Sequence, residues 1–116
     1  MRKTILFAIV VVLVVGVGVI FSVKNKGAFE KSRLLCDKAI AFMEEGDFNS
    51  AINYLEQSLE FNERYPKAHY ALAVSYLRIN PPDFSSAISH RDQAQKLGYL
   101  VPEWFDNYLR ILRAKE

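Results

Sequence analysis

Glu44-Glu45-Gly46-Asp47-Phe48-Asn49-Ser50-Ala51-Ile52 decides the fold of this chain, because a turn signal stands there between two helical patterns and then returns. Asp83-Phe84-Ser85-Ser86-Ala87-Ile88 repeats Asp47 to Ile52 at an offset of 36 residues, with aspartate, phenylalanine, a polar pair, alanine and isoleucine in the same order. A helix pair cannot bury its apolar stripe alone, so a repeat of this length predicts stacked helical units. Gly46 supplies the positive φ that ends one helix, and Asp47 supplies a carboxylate to accept from the free N–H groups that start the next.

Upstream of the turn, Leu35, Ala39, Phe42 and Met43 recur at three- and four-residue steps, the pattern of a one-faced helix up to Glu45. Downstream, Ala51, Ile52, Leu55 and Leu59 predict a second helix to about Arg64. Pro66 opens a third, since its missing N–H has no partner in a first turn. Pro81 and Pro82 end that helix, Asp83 caps a fourth, and Gly98 terminates it. Pro102 opens a last helix striped with Phe105, Tyr108, Leu109 and Leu112, which would cover the end of the array.

The start of the chain reads differently. Residues 4–23 carry no charge, and at 1.5 Å per residue they reach about 30 Å, the thickness of a bilayer's hydrocarbon core. They are read as an uncleaved single-pass transmembrane anchor (1–23), followed by a juxtamembrane spacer (24–31). Arg2 and Lys3 before the segment, and Lys24, Lys26, Lys31 and Arg33 after it, give a positive-inside count that slightly favours a cytoplasmic domain. A short tail followed by one long apolar run instead resembles a signal anchor. That second topology is the one adopted: a bacterial inner membrane with the C-terminal domain outside the cytoplasm.

Charge excludes one class of partner. The 15 basic and 13 acidic side chains leave a surplus of two, all of it in Arg2 and Lys3. The remainder is neutral, so no nucleic-acid footprint is expected. The single cysteine, Cys36, allows no intrachain disulfide, and His69 and His90 stand apart in sequence with no ligand cluster around them. No metal, cofactor, catalytic group or small-molecule substrate is expected.

With Leu35, Ala39, Phe42, Gly46, Phe48, Ala51, Leu55 and Ser58 in one unit, and Leu72, Ala73, Tyr76, Phe84, Ala87 and Ala94 in the next, the chain resembles the tetratricopeptide repeat. Lys38 and Arg91 depart from the family pattern at positions where large apolar or aromatic residues are usual. Two extra residues in the second turn account for the offset of 36 against a period of 34. The resemblance implies an all-α, right-handed helical solenoid with repeats at 32–65 and 66–101 and a capping helix at 102–116.

It further implies a concave groove lined by the first helix of each pair. Here that face reads Arg33, Cys36, Ile40, Met43 and Glu44, then Lys67, Tyr70, Val74, Leu77 and Arg78. The lysine and asparagine with which some relatives clamp a terminal carboxylate are replaced by Cys36 and Ile40, so a receptor for such tails is not implied. Tyr54, Phe61, Tyr99 and Trp104 are candidate outer contacts.

The function expected from the sequence is a non-enzymatic, membrane-anchored scaffold or accessory subunit that holds one or more proteins of a membrane complex near the bilayer. Two alternatives stay open. One is a purely structural subunit with no free groove, and the other a thiol-dependent enzyme accessory built on Cys36.

Overall fold

A computed structural model describes residues 26–116, which form five helices: α1 (26–44), α2 (Phe48–Phe61), α3 (Pro66–Arg78), α4 (Phe84–Lys96) and α5 (Glu103–Ala114). α3 packs against both α2 and α4, the arrangement of a TPR-like array.

The repeated turn works at the level of single hydrogen bonds. Gly46 at φ 84° lets its N–H reach the Met43 carbonyl at 3.0 Å, while Asp47 N–H reaches back to Phe42 at 2.9 Å. These are the two bonds of a Schellman termination. Asp47 Oδ1 then accepts from Ser50 N–H at 3.1 Å and Oδ2 from the Ser50 hydroxyl at 2.7 Å. Asp83 repeats the cap with Ser86, at 3.0 and 2.7 Å. The bonds from Ser50 hold the Asp47 carboxyl below the usual carboxylate range, and those from Ser86 do the same for Asp83. Gly98 at φ 92° ends α4 with the same termination, its N–H on Gln95 and that of Tyr99 on Ala94.

Small residues let the helices approach. Ala39, Ala51, Ala68, Ala73, Ala87 and Ala94 are fully buried. Around them the core forms two clusters, one of Cys36, Leu55 and Leu72 with their alanines, and one of Leu77, Phe105 and Leu109. Between α1 and α2 the buried Ser58 hydroxyl donates to the Ser32 carbonyl at 2.7 Å. Its one hydrogen being committed, the Ser32 hydroxyl must donate to Ser58 Oγ at 2.9 Å. The pair is self-satisfied, so its burial leaves no orphaned group.

Both departures from the repeat pattern are compensated. Lys38 holds its Nζ 4.6 Å from the centre of the Tyr54 ring, which itself stacks on Phe42 at 5.3 Å. Arg91 reaches across to α5, its Nη1 donating to Asp106 at 2.6 Å. Its Nε lies 2.8 Å from Asp92 but out of line for a hydrogen bond, and is otherwise buried.

The membrane part of the sequence reading is corrected. Among the described residues no helix is long and apolar enough to cross a membrane. The longest, 26–44, carries Lys26, Glu30, Lys31, Arg33, Asp37, Lys38 and Glu44, whereas a span needs about 20 predominantly apolar residues. The proposed anchor at 4–23 lies outside the described residues. The findings support an all-α, TPR-like array over the described residues, with no transmembrane helix among them, and the single-pass location, the bilayer partner and the membrane complex are withdrawn. Residues 26–31, assigned to a spacer, are helical and continuous with the rest of α1.

Candidate functional site

Each first helix of a pair turns one stripe away from its partner, and on α1 and α3 these stripes border one cleft. Its walls are Ile40, Met43 and Glu44 from α1, Phe48 from the start of α2, Lys67, Tyr70, Ala71, Val74 and Arg78 from α3, Tyr99 from the α4–α5 turn, and Trp104 from α5. The volume is about 400 Å³, within the range of pre-formed ligand sites and enough for a few side chains.

The far wall is an aromatic chain. Tyr99 stacks on Tyr70 at 4.6 Å, Tyr70 tilts against buried Phe105 at 6.3 Å, and Trp104 leans on the same ring at 6.0 Å. The Schellman turn at Gly98 is what swings Tyr99 back towards α3. Burial, with Tyr99 adding to it, pushes the Tyr70 hydroxyl up. Trp104 stays 47 % exposed at the mouth of the cleft, so the wall is rigid at its base and open at its rim.

The rim carries charge unevenly. Arg78 lies over the Phe48 ring at 5.2 Å and near Tyr108 at 6.0 Å, within reach of cation–π attraction to both rings. Among the described residues it meets no carboxylate within ion-pair distance. Lys67, at the other end of α3, has Asp37 at 3.9 Å. Glu44 is the single acidic residue in the lining.

Of the ten residues expected to line the groove, seven meet in this cleft: Ile40, Met43, Glu44, Lys67, Tyr70, Val74 and Arg78. Three do not. Cys36 is fully buried and Leu77 is 2 % exposed, because α1 and α3 turn those positions inward, onto the first and second core clusters. Arg33 is exposed and engaged along its own helix by Glu30 and Asp37. Tyr99 and Trp104, expected as outer contacts, belong to the cleft itself. Tyr54 packs on Phe42, and Phe61 is exposed under Lys31. Phe48 was not anticipated as a lining residue, although its place in the repeated turn was visible.

Burial pushes the Cys36 thiol up to about 11, so at neutral pH it is a protonated packing group and no nucleophile. Among the described residues no group of three or more histidine, cysteine, aspartate or glutamate side chains is placed to hold a metal. These features are consistent with a non-enzymatic protein.

A family model described as TPR repeat matches residues 40–80, the span from mid-α1 to the end of α3. No curated protein and no solved structure matches the chain.

Proposed function

We propose that the chain is a protein-interaction scaffold whose α1/α3 cleft seats a short segment of another protein bearing aliphatic or aromatic anchors and an acidic side chain. The observation that carries this reading is the pairing of an open aromatic cleft with an Arg78 guanidinium set over Phe48 that, among the described residues, has no carboxylate within ion-pair distance. A partner acid set against that guanidinium gains a charge-assisted contact, which arginine can make bidentate. The anchors bury against Ile40, Met43 and Val74, each contributing about 1.5 to 3 kcal/mol before ordering costs are subtracted.

Selection of random 12-residue peptides displayed on phage against the full chain tests the proposal. The enriched peptides should share an apolar anchor and an aspartate or glutamate, and their binding should change the emission of Trp104, the sole tryptophan. Val74→Glu should abolish binding with helicity unchanged. Enrichment of peptides indifferent to Val74→Glu and Arg78→Glu would place the binding surface elsewhere and overturn the reading.

A further inference from the structure

His69 on α3 and His90 on α4 are 21 positions apart, and their Nδ1 atoms lie 3.0 Å from each other. Nε2 of His69 lies 2.7 Å from the Glu63 carbonyl. A carbonyl only accepts, so that nitrogen carries the proton of His69. Nδ1 of neutral His69 is then a lone pair, and the short contact requires His90 to donate from its own Nδ1. One carbonyl thus fixes both tautomers.

The pair sits at a helix junction. His69 is 4 % exposed. The half-buried His90 ring is covered by Tyr76, stacked on it at 5.8 Å and 7°, and the Tyr76 hydroxyl donates to Glu56 on α2 at 3.0 Å. Two imidazoles and one phenol therefore tie α2, α3 and α4 together on the side of α3 away from the cleft. Two ring nitrogens alone make no metal site.

Counting protons shows what the pair can do. An added proton on Nε2 of His90 keeps the ring-to-ring bond. A further one has only Nδ1 of His69 to occupy, which sets two N–H groups head to head across 3.0 Å. We propose that His69 and His90 form a proton-operated latch, closed while one hydrogen is shared between the rings and opened when acid protonates both, freeing α4 from α3.

The surrounding groups bias it towards neutrality. Burial, and then His69 itself, hold His90 below the ordinary histidine range, and Glu56 on α2 offsets this only in part. Asp83, at the start of α4, acts on Tyr76, pushed up to about 12 mainly by burial. Because the folded His90 is depressed, the unfolded chain takes the proton first. The first of the two protons, on His90, therefore costs stability as pH falls from about 6.5 through the lower folded value, and the latch opens with the second. Tyr99 follows α4 and forms a groove wall, so opening would also loosen the cleft. That consequence rests on the groove reading, whereas the titration does not.

The test uses the full chain labelled with ¹⁵N. At pH 8 the long-range imidazole spectrum should show His69 protonated at Nε2 and His90 at Nδ1. Between pH 6.5 and 5, the unfolding equilibrium constant of the native chain should rise more steeply than that of His90→Gln, by up to about tenfold per pH unit. An Nε2–H tautomer of His90, or equal slopes for the two proteins, would overturn the latch. If His90→Gln does not fold, amide exchange in the native chain decides. Acid should release α4 amides in step with the histidine titration and ahead of α2, and simultaneous release of both would contradict the proposal.

Discussion

Replacing Phe105 with alanine probes how the array is closed. Phe105 is fully buried and the largest such side chain among the described residues, and it holds α5 to Ala73, Leu77 and Ala87. The N-terminus of α5, at Pro102, has no side-chain cap, so its attachment depends on this ring, on Leu109 and on the Arg91–Asp106 pair. Phenylalanine-to-alanine changes in cores cost about 3 to 5 kcal/mol, the lower figure applying where the site can collapse. A terminal helix can shift inward, so we expect about 3 kcal/mol, a large part of the 5 to 15 kcal/mol typical of a domain.

The assay is urea unfolding followed by circular dichroism and Trp104 emission, with amide exchange resolving where the loss falls. Protection should drop most in α5 and in the Ala73–Leu77 part of α3, and least around Leu55 and Leu72 in the first cluster. Ile111→Ala, on the same helix but 53 % exposed, should change stability by less than about 0.5 kcal/mol. A Phe105→Ala loss below about 1 kcal/mol would refute the anchoring role. Equal loss of protection in α2 would refute the division into two clusters.

Asp47→Ala and Asp83→Ala should each lower the midpoint of chemical denaturation, as the loss of a helix cap does. Both carboxyls are depressed in the folded chain, so their contribution is present above about pH 4 and is lost as pH falls through the folded values; Asp→Asn at either site should keep the cap and flatten that acid dependence. Ser58→Ala removes the donor to the Ser32 carbonyl and should cost about 1 to 3 kcal/mol, with the double change of Ser32 and Ser58 to alanine costing less than the two single losses together. Cys36 should resist a thiol-reactive probe at pH 8 in the native chain and react at the ordinary rate in urea; rapid native labelling would contradict its burial.

Local chemistry explains what could be read in advance. Gly46, Asp47, Asp83 and Gly98 act on atoms within a few residues of themselves, so their types announce the helix ends. The groove was legible only through the family resemblance, which names Ile40, Met43, Val74 and Arg78 by their place on the first helix of each unit. Cys36 and Leu77 share that nominal face, yet the close approach of the neighbouring helices turns them into the core. Tyr99 enters the cleft because the Gly98 turn reverses the chain, and the His69–His90 contact depends on the register between α3 and α4. Neither follows from composition or spacing. The apolar run at 4–23 showed only that a span is possible in length, and no helix among the described residues supplies one.

The central claim is that Arg78 receives an acidic side chain from a segment seated in the cleft, and a charge exchange across that contact tests it most directly. The affinity of one selected peptide is measured for the native chain and for Arg78→Glu, with the peptide's acid unchanged or replaced by lysine. The account predicts that each single reversal weakens binding at least tenfold, about 1.4 kcal/mol, and that the double reversal restores most of it. Binding unchanged by Arg78→Glu, or no recovery in the double reversal, would contradict it.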